Sequence, residues 1–105
     1  MNPQQPIDFL TSIRAAHAIH AVHEIYFGMV QLAELFVQRG WTQEAADILA
    51  FVVQQDNLPH DIFEQADELF DDLERSICPR VIWDAREFAS GMDMDDMVAY
   101  LLADD

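Results

Sequence analysis

His17, His20 and His23 stand three residues apart, and Glu24 follows four residues after His20. Imidazole nitrogens with a carboxylate make a donor set for zinc, copper or nickel, so the spacing raises the question of a metal. On a helix, side chains three apart are offset by about 60°. Neighbouring pairs share a face, but three rings do not converge easily on one ion. The imidazoles read instead as groups that cap a bend or line a helix interface. Asp93, Asp95 and Asp96 crowd a second short stretch. A calcium loop needs a glycine at its sharp turn and a distant bidentate glutamate, and neither is present.

Carboxylates also work in general acid–base pairs, provided their surroundings drive their proton affinities apart. Glu64, Asp67, Glu68, Asp71, Asp72 and Glu74 instead fall opposite Phe63, Ala66, Phe70 and Leu73, on what is expected to be the solvated face of an amphipathic helix. Cys78, the only cysteine, precedes Pro79 at a helix start, where thiols gain reactivity; between Ile77 and Pro79 it reads as a small buried side chain. His60, beside Asp61, is expected in a turn. The sequence thus assigns no catalytic, cofactor-binding or metal-ligating residue, and a non-enzymatic role is expected.

The aromatic residues point to contact rather than catalysis. Trp41 falls in a turn, where it either packs over the end of a helical hairpin or anchors an interface, and packing is the simpler reading. Tyr26 and Tyr100 are able to bury a ring while keeping the hydroxyl wet. Tyr26, Met29, Phe36, Trp41 and Trp83 form the expected partner-binding set.

Such side chains need elements to hold them, and the periodicity predicts an all-α protein of five or six helices in antiparallel hairpins. Residues 1–6 form a polar tail expected to be disordered, with Pro6 suited to a first helical position. Ile7, Leu10, Ile13 and then Ala16 or His17 make a short buried stripe; Val22, Ile25, Tyr26, Met29, Leu32, Ala33, Phe36 and Val37 continue one. Residues 7–39 form either one helix or two broken near His20. Gly40 after Gln38-Arg39 marks a helix end, and Thr42 is the expected N-cap of a helix over 43–55 facing inward through Ala45, Ile48, Leu49, Val52 and Val53. Pro59 opens a helix with Ile62, Phe63, Ala66, Leu69, Phe70, Leu73 and Ile77 inside. Pro79 opens another, with Val81, Ile82, Ala85, Phe88 and Ala89 inside and Gly91 at its end. Asp93 caps a last helix that buries Met94, Met97, Val98, Leu101 and Leu102. No stretch has the strict alternation of a strand.

The 105 residues suit one domain with one core. Twenty carboxylates against five arginines, with no lysine, give a formal net charge of −15. Residues 61–105 carry 14 acids and 3 arginines, net −11, whereas residues 1–60 carry 6 acids and 2 arginines, net −4. This balance repels phosphate backbones and anionic membranes and steers basic partners inward. No run approaches the roughly 18 apolar residues of a membrane span, and the first residues lack a signal-peptide pattern. With a single cysteine, a cytoplasmic location is expected.

Met29, Leu32, Ala33 and Phe36, Gly40 in the turn, then Ala45, Leu49 and Val52, with Pro59 beyond, resemble a tetratricopeptide-type hairpin over residues 22–58. Ala33 and Ala45 would permit close approach of the paired helices, and Gly40 the tight turn. The order Leu32-Ala33-Glu34-Leu35, Gly40, Ala45-Ala46-Asp47-Ile48-Leu49, an acidic helix, Trp83-Asp84-Ala85-Arg86-Glu87-Phe88-Ala89-Ser90-Gly91 and Met94-Asp95-Asp96-Met97-Val98 is similar to the C-terminal repeat region of bacterial multidomain ATPase and LuxR-type regulators. Met92 replaces an arginine usual there. The resemblance implies a regulatory or scaffold surface, with residues 59–105 as acidic C-terminal helices. The expected function is a protein–protein interaction module that binds a partner with a basic face or pairs as a homodimer, with no direct nucleic-acid binding, no membrane and no cofactor. The rival is an acidic inhibitor that imitates nucleic-acid charge.

Overall fold

Among the described residues the stretches of helical periodicity become six helices, bounded by proline, glycine or aspartate except where the first two meet. The computed structural model describes residues 6–19, 21–55 and 58–102. The helices are α1 (Pro6–Ala18), α2 (Val22–Gln38), α3 (Thr42–Val53), α4 (His60–Ser76), α5 (Pro79–Ser90) and α6 (Met94–Leu102). Among the described residues there is no strand. Of the tail expected over residues 1–6, residues 1–5 lie outside the described residues and Pro6 opens α1; the break at His20 and the Asp56-Asn57 turn also lie outside them. The choice over residues 7–39 is nevertheless decided: two helices form there, and the amide of Ala21 donates to the Ala16 carbonyl at 2.8 Å behind the end of α1.

At the other end of α2, Gly40 has φ +80°, the left-handed region that costs an L side chain but not glycine. The Gly40 amide donates to the Val37 carbonyl at 3.1 Å and the Trp41 amide to the Phe36 carbonyl at 2.8 Å, the paired bonds of a Schellman ending. Trp41 also stacks on Phe36, ring centroids 5.2 Å apart, which is the apolar contact that accompanies this ending. Thr42 is not the N-cap. Because the Trp41 carbonyl already accepts the Ala45 amide at 3.1 Å, Trp41 holds the cap position and Thr42 is the first helical residue.

Asp93 caps α6 as the sequence predicts. Its Oδ1 accepts the Asp96 amide at 2.8 Å, and Asp96 Oδ2 accepts the Asp93 amide at 3.3 Å, a reciprocal capping box.

The core is organised around α3, whose residues 45–52 are all buried. A helix that is apolar on nearly every side must be covered on every side. α3 packs against α2, α4 and α5, while α1 packs on α2, and α6 on α1. α5 thus rests chiefly on α3 rather than on α4, its neighbour in sequence. Three apolar residues predicted to face inward do not: Val22, at the start of α2, is 40% exposed, and the other two lie on α4 and α5. Phe63 is 39% exposed and Phe88 38% exposed, because the buried stripes of α4 and α5 are narrow: Ile62, Ala66, Phe70 and Leu73, then Ile82, Ala85 and Ala89. Cys78 is exposed, contrary to expectation. The chain is extended at Ile77, so successive side chains point to opposite sides; Ile77 packs on the core and Cys78 faces outward.

Candidate functional site

The residues that raised questions of chemistry are dispersed. His17 Nε2 lies 2.8 Å from Asp95 Oδ1, which ties α1 to α6, while His23 is exposed at the start of α2. His20 lies outside the described residues. His60 is the first residue of α4 rather than part of a turn, and its Nε2 reaches Glu64 Oε1 at 2.9 Å along the helix. Among the described residues no three His, Cys, Asp or Glu side chains gather to hold a metal ion. No helix there is long and apolar enough to cross a membrane.

Of the expected contact set, Tyr26 and Met29 belong to the core, at 3% and 0% exposure. α2 is covered by α1, α3 and α4 together, so both residues are consumed by packing and neither faces a partner. The Tyr26 hydroxyl donates to Gln55 Oε1 at 3.3 Å, and burial pushes its proton affinity up. Phe36 is half-buried under Trp41. Trp41 and Trp83 are exposed, at 46% and 58%. Trp83 borders a shallow cleft with Glu74, Pro79, Ile82 and Arg86. Arg86 spans α4 and α5 by an ion pair to Glu74 at 2.8 Å and by lying 5.3 Å over the Phe70 ring.

A larger concavity lies elsewhere. A groove of about 480 Å³ runs between α1 and α2, walled by Phe9, Ile19, Ala21 and Phe27, with Ser12, Glu24 and Gln31 at its polar positions. Its depth follows from small residues. Ala15, Ala16 and Gly28 line it, and at Gly28 the helices approach so closely that a Cβ would sit 2.8 Å from Ile13 Cγ1. Ile19 is 75% exposed and Phe27 48%, large apolar side chains left beside an apolar channel. The sequence reading passed over Phe9, Ile19 and Phe27. Phe27 carried a signal, because it is a large apolar residue of α2 that lies off the predicted stripe of Val22, Ile25, Tyr26, Met29, Leu32, Ala33, Phe36 and Val37.

Asp47 is the one charged residue buried among the described residues. Burial raises its proton affinity; the bond from Gln43 Nε2 at 2.9 Å works the other way, and the nearby charges of Glu44 and Asp84 add to the rise. A buried carboxylate with a raised proton affinity is a recurrent feature of acid–base sites, but Asp47 lines neither the α1–α2 groove nor the clefts beside Trp83 and Phe36. Its hydrogen-bond partner, Gln43, is on its own helix.

A smaller cleft, about 170 Å³, opens between α2, α3 and α6, lined by Phe36, Glu44, Ile48, Tyr100 and Leu101. Each of its rings is braced by another: Phe36 by Trp41, and Tyr100 by Phe88 edge-on at 5.0 Å between centroids.

Comparison with protein families, with curated proteins and with solved structures returns no match for this chain.

Proposed function

We propose that this protein is a non-catalytic protein-interaction module whose α1–α2 groove receives an apolar helix or extended segment, with a second copy of the chain as the first occupant to test. The observation that carries the reading is the groove itself, apolar along its length and flanked by exposed Ile19 and Phe27. Exposed apolar surface of this kind marks interaction sites. Charge distribution supports the place: residues 6–31 carry Asp8 and Glu24 against Arg14, net −1, whereas residues 61–105 carry net −11. Two copies meeting at this groove bring together segments of low net charge, so the contact itself adds little to the repulsion that a net charge of −15 imposes. The tetratricopeptide resemblance of α2 and α3 agrees with a regulatory scaffold, and a cytoplasmic role for it remains part of the proposal.

Light scattering at micromolar concentration on the wild type and on Phe27→Asp tests it. A wild-type dimer that becomes a monomer in the variant is the expected result. Completing the burial of the Phe27 ring is worth roughly 1 kcal/mol, and placing a carboxylate there adds a desolvation cost. A monomer in both removes self-association, and the groove is then tested by capture of a partner on wild-type and Phe27→Asp baits. Equal retention of that partner by both baits refutes the groove. The acidic-mimic reading is favoured by the exposed acids of α4 and predicts a different pattern, with capture lost steeply as salt rises and indifferent to Phe27.

A further inference from the structure

The cleft between Phe36 and Tyr100 has the makings of a cation site, and it lies on a surface that the α1–α2 groove does not use. It is lined by two aromatic rings, by Ile48 and Leu101, and by one charged residue, Glu44. Among the described residues Glu44 forms no ion pair, and none of the chain's five arginines lines the cleft. The rings are held before any ligand arrives, Phe36 by Trp41 and Tyr100 by Phe88, which lowers the ordering cost of binding.

We propose that this cleft takes an arginine side chain of a partner polypeptide. At about 170 Å³ it is smaller than the roughly 300–1,000 Å³ of sites that enclose small-molecule ligands, and suits a single side chain. Aromatic faces attract a cation electrostatically, and a guanidinium is planar and weakly hydrated, so it stacks on a ring more readily than a lysine ammonium. Glu44 supplies the carboxylate to which the guanidinium fork donates. The net charge of −15 draws a basic segment toward the protein, and the cleft then selects arginine within it. The proposal stands whether or not the α1–α2 groove pairs two copies.

The test compares fluorescently labelled tetra-arginine and tetra-lysine peptides, titrated by fluorescence polarisation at physiological ionic strength. The arginine peptide is expected to bind more tightly by roughly five- to ten-fold, and aromatic NMR signals of Phe36 and Tyr100 should shift with it. Glu44→Gln, at an exposed position, and Tyr100→Leu, checked by circular dichroism, should each remove most of that preference. Asp67→Asn with Asp71→Asn on the acidic face of α4 should weaken both peptides alike and leave the preference intact. Equal affinity for the two peptides, no binding of either, or a Glu44→Gln effect no larger than that of the α4 changes would overturn the assignment.

Discussion

Gly28 is the point at which the α1–α2 arrangement is most exposed to disproof. A methyl group there would lie 2.8 Å from Ile13 Cγ1, roughly 0.7 Å inside the ~3.5 Å at which carbon pairs attract. Cγ1 is attached close to the backbone of a fully buried residue, so it has little room to yield. Two effects oppose each other in Gly28→Ala. Helix propensity favours alanine by about 1 kcal/mol, and overpacking costs about 1–3 kcal/mol. The expected sum is a destabilisation of roughly 1 kcal/mol. Ile13→Ala costs about 2–5 kcal/mol by itself, through the cavity it opens, but it also removes Cγ1. In that background the clash is gone, and Gly28→Ala should stabilise by up to about 1 kcal/mol. The sign reverses between the two backgrounds. Urea unfolding followed by circular dichroism on the four proteins of the cycle measures it, with a coupling of roughly 1–3 kcal/mol expected. Additive effects, with Gly28→Ala stabilising the wild type as much as it stabilises the Ile13→Ala protein, would show that α1 does not sit on α2 at this register. The groove would then have no floor.

Asp47 gives a prediction in pH. Burial raises its folded proton affinity above the unfolded value, so the folded state keeps this proton to higher pH; its contribution is fully present below the unfolded pKa and is lost as pH rises through the folded one. Asp47→Asn keeps an acceptor for Gln43 Nε2 and removes the charge, so it should stabilise the protein at neutral pH by about 1.4 kcal/mol for each unit of the rise. The advantage over wild type should vanish toward pH values below the ordinary carboxylate range, and a variant less stable at neutral pH would contradict the burial argument. Gly40→Ala should cost about 1–2 kcal/mol through the backbone alone, since nothing lies within 4 Å of the added Cβ, and Gly40→Asn should recover part of that loss in thermal melts. Equal melting temperatures for the glycine and alanine proteins would mean that the turn at Gly40 does not require a left-handed residue.

Much of the helical order was legible because its signals are local. Pro79, Gly40 and Asp93 bound helices by their own backbone or side-chain chemistry, and the 3.6-residue spacing of α3 reports a face that must be covered wherever the rest of the chain goes. The acidity of the second half was also readable as it stood. Which apolar residues remain uncovered was not legible, since periodicity identifies a stripe without saying how many neighbours will cover it. Tyr26 and Met29 looked like contact residues until α1, α3 and α4 closed around α2. Phe9, Ile19 and Phe27 looked ordinary until two helices with small residues between them left a channel. The cleft of Phe36, Glu44 and Tyr100 draws on three helices, with 56 residues separating Glu44 from Tyr100. Helix type and charge belong to short segments and follow from the sequence by itself. The grooves are gaps between segments, and only the packing of α1 on α2 and of α3 against its neighbours decided where those gaps fall.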